Sequence, residues 1–470
     1  MSGEIYNPLP QLIDFATKLR FEDLPASVVH DTKVRIIDSL GTAMGALDDE
    51  RLRKRWRYFS DRPIAYPEGG LAYGVAQRLS LCDAAFLNST MSRWLDYNDT
   101  YLAKEPAHPS DNIGGLMAIS GSESISGKDL ITAIALAYDV QCRFCEAASL
   151  RSHGWDHVNY ILIGQALAGG KLLGFNHEQM YNAVALALSS HAAMRQAREG
   201  TYLSEQKNMA AADAVRGAMW ALEKVLAGAD GPAEIVEGKH GLVQQMSGPL
   251  ATSAFDGLGS HFLLSDTYIK KYPMEYHGQT VIEHALAIRE ELGAPALSDI
   301  QEVVLTGYEA QLTIIGDDSK RRPSTKETAD HSVYFAFAAP LLEGKMTFEQ
   351  YRPEMLSNPE ILGLIDRTKF VESAKWTSLY YAPQAEREFA SSARVTLKDG
   401  RTARDERRVP HGHPKNPLAE ADIEAKFNSM ANPVLNNYES VLDSLWNIDT
   451  AKDVSKVMAG ITLNLAARNG

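Results

Sequence analysis

Cysteine is scarce in this chain: Cys82, Cys142 and Cys145 are the three among 470 residues. Three thiols build no disulfide framework, so packing must hold the fold, and a reducing compartment, the cytoplasm, is the expected setting. Excess positive charge is absent too. Lys and Arg total 47 against 60 Asp and Glu, a formal net charge of −13 that argues against a nucleic-acid partner. No stretch approaches the roughly 18 consecutive apolar residues of a spanning helix, so no membrane is expected either. The start, MSGEIYNPLPQLIDF, lacks both the basic-then-apolar layout of a secretory signal and the Arg/Ser richness of a transit peptide. HExxH, GxSxG, a P-loop and a GxGxxG after a strand are missing as well, which removes the usual signatures of zinc proteases, serine hydrolases and nucleotide binders. CRFC at 142–145 has no second CxxC to complete a metal site and reads as part of a helix.

What is present suits a large globular protein. Hydrophobic residues make up 45% and charged residues 23% of a length that suggests two domains. Residues 1–266 read as helix after helix, rich in Ala, Gly and Ser that let backbones approach. SVVHDTKVRIIDSLGTAMGAL repeats apolar residues at helical spacing, with Ser27 as the expected N-cap. NHEQMYNAVALALSSHAAM begins another helix once Gly174 has ended the one before it. Near 267 the pattern changes. DIQEVVLTGYEAQLTII alternates like a strand, and SARVTLKDGRTARDERRV reads as a hairpin turning at Asp399-Gly400. The expected architecture is mainly α: a large all-helical domain, an inserted smaller α+β lid domain over 267–410, and C-terminal helices at 411–470 that return to the first domain.

Five segments could carry chemistry. In RWLDYNDTYLAKEPAHPSDNIGG, residues 93–115, Asp96, Asp99 and Thr100 would share one face if the helix continued, and His108 is confined between Pro106 and Pro109. SHGWDHVNY sets Asp156 and His157 at a loop-to-helix junction. MRQAREGTYLSEQK offers Arg195, Arg198 and Lys207 ahead of a small-residue helix. YPMEYHGQT holds His277 near the domain boundary, and TADHSVYFAFAAPL holds His331 and Tyr334 at a helix start. Each alone reads as readily as capping or a solvated surface. Together they supply histidines, a lysine and arginines without metal-ligand spacing. That set suits proton transfer on a polycarboxylate, with cations holding the carboxylates.

In this order the segments resemble the MmgE/PrpD family along essentially the whole chain. RWLDYNDTYLAKEPAHPSDNIGG is similar to RWLDxNDTxLAxExxHPSDNxGG of the branch that dehydrates 2-methylcitrate, GWDHV to GLDHV, YPMEYHGQT to FPAEFHxQT, and DHSVYFAFAAPL to DHCxQYxxAxPL. The R-x-x-R pair and the lysine nine residues beyond it also match. The resemblance implies a cofactor-independent homodimer without a metal, its active site between a helical body and a lid. It places Asp96, Thr100, His108, His157, Lys207 and His277 among the catalytic residues; Arg93, Arg195, Arg198, His331 and Tyr334 are the further candidates for binding substrate, from their residue types and positions. The implied reaction converts 2-methylcitrate to 2-methyl-cis-aconitate, in the breakdown of propionate. Two departures stand out. The family's lid tyrosine falls at Phe335, one place after Tyr334, and EGTYLSEQK replaces a segment like HAPNTGSRK. A cis-aconitate decarboxylase or a dicarboxylate epimerase of the same family is an alternative reading, and a non-catalytic helical protein that binds polycarboxylates is one of another class.

Overall fold

The segment SVVHDTKVRIIDSLGTAMGA winds into the helix Ala26–Ala46, because small or apolar side chains recur on one side of it and bury. Its N-cap is Pro25, so Ser27 lies inside the first turn and does not cap. The computed structural model describes residues 5–61, 69–199, 204–383 and 385–464. The chain folds into two units, Met1–Tyr268 with Ala419–Gly470, and Ile269–Leu418. Most of the described residues are helical, and no helix among them is long and apolar enough to cross a membrane.

In the first unit the helix Leu81–Trp94 packs against Asp111–Ile119 and Gln206–Leu226, and Asn159–Leu172 packs against Gly127–Ala147 and Gln206–Leu226. Small residues at the crossings permit this. A Cβ on Gly114 would stand 2.7 Å from the backbone nitrogen of Ser89, inside the neighbouring helix. The Asn159–Leu172 helix stops at Gly174, whose φ of +69° suits glycine, and Asn176 then caps His177–Ser190 through the backbone N–H of Gln179. Cys142 and Cys145 are fully buried in Gly127–Ala147, where burial holds both thiols well above their usual range. They are core residues. The tail contributes Glu420–Ala431, which lies along Ala26–Ala46 with Phe427 and Met430 against Gly41 and Gly45.

The second unit is built on a four-stranded sheet in the order β2-β1-β3-β4, with β1 Ile300–Gly307, β2 Thr368–Glu372, β3 Ser391–Leu397 and β4 Thr402–Arg407. β1 runs parallel to β2 with Val303 opposite Thr368, and antiparallel to β3 with Val303 opposite Val395. The expected hairpin forms, and Gly400 at its turn has φ +93°. The strand expected over 299–315 ends at Gly307. The chain turns there, and EAQLTII becomes the short helix Glu309–Ile315, burying Ala310, Gln311 and Ile315 at a spacing that strand alternation cannot match. Gln279–Leu292 packs on β3, β4 and the helix Val333–Glu343, which starts at Ser332 with its hydroxyl accepting from Phe335 N–H at 3.2 Å.

Candidate active site

The chain leaves the Leu81–Trp94 helix at Leu95, so Asp96, Asp99 and Thr100 do not share a helix face as expected. They sit in a loop shaped by buried hydrogen bonds. Asp96 takes a left-handed backbone conformation, φ +52°, which asparagine and aspartate tolerate better than most residues. Asp99, with no exposure, is the anchor. Its Oδ1 accepts from the Ser110 N–H and hydroxyl at 3.1 and 2.6 Å, and its Oδ2 accepts from the Tyr138 hydroxyl at 2.7 Å. Thr100 pairs with Tyr268 through the backbone and donates its hydroxyl to the Ala107 carbonyl at 3.2 Å. Those bonds present His108. The ring Nδ1 lies 2.6 Å from the Asp99 carbonyl oxygen, which can only accept. Nδ1 therefore carries the proton, and a neutral ring has its basic lone pair on Nε2.

Two buried ionic groupings mark this region, one of two cations on Asp96 and one of a single pair at Asp156. Arg93 Nη1 contacts Asp96 Oδ1 at 2.5 Å and Lys207 Nζ contacts Asp96 Oδ2 at 3.2 Å, with all three side chains nearly sealed from solvent. Lys207 is placed by the first turn of Gln206–Leu226. The single pair is Arg198 Nε on Asp156 Oδ2 at 2.8 Å. A short 3-10 helix, Arg195–Arg198, brings it there, tied down where Arg195 N–H donates to the Gly154 carbonyl at 3.0 Å. His157 packs beside His108, with ring centroids 5.8 Å apart. Burial and the charge of Arg198 push its pKa down to about 3, so the ring is neutral near pH 7. Burial also lowers Arg198, while Arg198 and His157 hold the Asp156 carboxyl below its usual range although burial opposes this. Buried polar atoms here without a hydrogen-bond partner among the described residues include Arg93 Nε, Arg198 Nη2 and His157 Nδ1. Arg195 lies further out, partly exposed and paired with Glu199 at 3.0 Å.

Asn98 and Asp111 also belong to this cluster, and neither was singled out from the sequence. Asn98 donates to Ser110 and Asp111 at 2.9 and 3.1 Å, and its own oxygen faces Arg93 at 3.4 Å. Asp111 is fully buried, which pushes its carboxyl up to about 7. In sequence it precedes an apolar helix and looks like an ordinary cap. Of the replaced segment 199–206, positions 200–203 lie outside the described residues.

The remaining expected residues lie in the second unit. His277 Nδ1 faces Glu275 Oε1 at 2.8 Å and its Nε2 faces the Tyr380 hydroxyl at 3.3 Å. His331 Nδ1 lies 2.6 Å from Asp330 Oδ1, and Lys326 holds the other carboxylate oxygen at 2.7 Å. Tyr334 is buried, donating its hydroxyl to the Gly316 carbonyl at 2.7 Å beneath the Arg321 guanidinium, and Phe335 stacks on Tyr351. Ser391, His284 and Asp405 line up like a hydrolase triad, at 2.9 and 2.5 Å. The serine is 1% exposed and spends its hydroxyl on Thr280 as well, so the arrangement ties β3 and β4 to the helix Gln279–Leu292.

Comparison with known proteins finds relatives over most of the chain. A Salmonella typhi protein named 2-methylcitrate dehydratase is 27% identical over 418 residues, covering 85% of this chain and 86% of that protein. A Cupriavidus necator protein of the same name is 28% identical over 421 residues, 86% of this chain and 85% of its own. Yarrowia lipolytica has a protein named 2-methylcitrate dehydratase, mitochondrial, 29% identical over 363 residues, 74% of this chain and 69% of its own. The MmgE/PrpD N-terminal domain matches residues 10–253 and the MmgE/PrpD C-terminal domain matches residues 272–447. With both domains matched in order along most of its length, this chain belongs to the MmgE/PrpD family.

Proposed function

We propose that the protein is a carbon–oxygen lyase that dehydrates 2-methylcitrate to 2-methyl-cis-aconitate by general acid–base catalysis, with no cofactor. The observation that carries this reading is a set of buried polar atoms without a hydrogen-bond partner among the described residues, above all Arg198 Nη2 and His157 Nδ1, within a cluster of paired charges. A buried guanidinium nitrogen without a partner is costly, and a substrate carboxylate satisfies it. The names of the relatives supply the substrate.

Removing the proton beside a carboxylate places charge on that carboxylate, so the site must stabilise it. Lys207 and Arg93, both held by Asp96, are the cations for this task. His108 is the base: its Nδ1–H is committed to the Asp99 carbonyl, which leaves Nε2 to take the proton from carbon. The C–H electron pair becomes the double bond, and the C–O pair leaves with the oxygen, which needs a proton to depart as water. His157, neutral near pH 7, is a poor source of that proton and serves as a hydrogen-bonding partner of the carboxylate. Thr100 acts through the loop, holding Ala107 and so His108 in place. His331 and Arg195 keep the substrate-binding role expected of them from the sequence.

The test is to mix the purified protein with 2-methylcitrate, citrate, cis-aconitate and iminodisuccinate. An ultraviolet absorbance rise from the new conjugated alkene with 2-methylcitrate is the expected result. Carbon dioxide release from cis-aconitate, or thermal stabilisation by tricarboxylates with no product from any of the four, would overturn it. Lys207→Met should lower turnover by about a hundredfold or more while the unfolding transition stays cooperative. Near-normal turnover in that variant would remove Lys207 from the mechanism.

A further inference from the structure

His277 is part of a chain of three groups within residues 269–418. The Glu275 carboxylate can only accept, so the bond at 2.8 Å fixes the proton of His277 on Nδ1. Its second oxygen is held by the backbone N–H of His277, also at 2.8 Å, and Gln311 donates to the His277 carbonyl at 2.7 Å. The backbone of His277 is thus held on both sides, and turning the ring would break its bonds to Glu275 and Tyr380. Its other nitrogen, Nε2, meets the hydroxyl of Tyr380 at 3.3 Å. That phenol is positioned by its ring, stacked on Tyr308 at 4.6 Å and 12° with the edge of Phe389 beside it at 5.8 Å. Exposure grades along the chain: His277 is 3% exposed, whereas Tyr380 is partly open to solvent.

We infer that Glu275, His277 and Tyr380 form a proton relay, and that the Tyr380 hydroxyl delivers the proton to the leaving oxygen of a hydroxy-polycarboxylate. The substrate class rests on the reading under Proposed function; the relay rests on the geometry. A hydrogen bond of merely structural use would have no reason to end at an accessible phenol. Nor would it need an ionised carboxylate behind the imidazole. Burial opposes ionisation of Glu275, yet His277, His331 and Lys270 hold it below its usual range. A carboxylate in that state stabilises the imidazolium that the relay requires. Tyr334 and Phe335 offer no comparable group, since the Tyr334 hydroxyl is committed to Gly316 and Phe335 has none.

In the charged relay Nε2–H donates to the Tyr380 oxygen, and the phenolic proton points away from the ring. As the C–O bond breaks, the oxygen keeps the bonding pair, takes the Tyr380 proton and leaves as water. Tyr380 takes the Nε2 proton in turn, and His277 ends neutral with Nδ1–H on Glu275. The carbon-bound proton goes to a base, which then releases it to water while His277 takes one up from water, so charge and protons balance over the cycle.

The experiment compares wild type, Tyr380→Phe and Glu275→Gln by turnover of 2-methylcitrate across pH and by 15N NMR of the histidine rings. Tyr380→Phe is expected to cut kcat roughly ten- to a hundredfold with KM little changed, and Glu275→Gln to lower kcat in the same way. Both should change the His277 Nε2 resonance. If wild type turns over while Tyr380→Phe matches it in kcat and pH profile, the relay is overturned and the dehydratase reading stands. If wild type makes no product but both variants change the Nε2 resonance, the relay stands and the substrate reading falls. An Nε2 resonance unmoved by both variants overturns the relay whatever the activity.

Discussion

Asp111 and His157 pull the pH dependence of stability in opposite directions. Burial raises Asp111 from 3.8 to about 7, so between those values the folded protein binds a proton that the unfolded chain has released. This group's contribution is present at low pH and lost as pH rises through that window. Asp111→Asn, neutral throughout, should therefore gain on wild type as pH goes from 5 to 7.5, by up to about 1.4 kcal/mol per pH unit. Urea unfolding at the two pH values checks it, and an equal difference at both would refute it. His157 is the reverse case. Its folded value of about 3 lies below the ordinary 6.5, so stability is lost as pH falls from 6.5 toward 3. His157→Gln should flatten that part of the profile, read by the same unfolding curves. Little of this was legible beforehand. Asp99 and Asp111 look like caps in the sequence, and what makes them interior carboxyls is a distant tyrosine, Tyr138, and the packing of an adjacent helix.

Helices were the easiest elements to read, because apolar and small residues recur at a helical period across Ala26–Ala46, Gly127–Ala147 and Gln206–Leu226. The loop at 95–110 was legible as polar chemistry between buried runs, but its path was not. Extending the helix through Asp96–Thr100 fails because the chain needs a left-handed residue at Asp96 to bring Asp99 back onto Ser110. EAQLTII was misread for a similar reason: apolar and β-branched residues suit strand and helix equally over seven positions, and the turn at Gly307 decides between them. The helix Asp111–Ile119 carries the far end of that loop and rests on Leu81–Trp94 through Gly114. Its missing Cβ would meet backbone atoms, Ser89 N at 2.7 Å and the Asn88 carbonyl carbon at 2.8 Å, which cannot rotate aside. Gly114→Ala is expected to cost about 1–3 kcal/mol in urea unfolding and to lower turnover, since Ser110 and Asp111 move with the helix. Wild-type stability in that variant would show that the helices can separate at no cost.

At the scale of the whole chain, the tail is structural. Phe427 and Met430, 1% and 5% exposed, cover the small-residue face of Ala26–Ala46. A chain ending at Leu418 should expose that face and fail to fold cooperatively, seen as lost soluble yield and increased binding of a hydrophobic dye. A soluble, cooperatively unfolding product of that length would refute the assignment. The segment between the two pieces of the first unit has its own core of Val303, Leu305, Phe337 and Val395. It also begins and ends at nearly the same point, where Ile269 N–H donates to the Gly412 carbonyl at 2.9 Å. Position 412 has φ +92°, and a Cβ there would lie 1.9 Å from the Ile269 carbonyl oxygen, so glycine alone allows the two strands of chain to touch. About 140 residues are thus threaded through a gap that a single peptide could bridge. To the rest of the polypeptide the excursion comes back to where it left, so a short link would serve the path on either side as well.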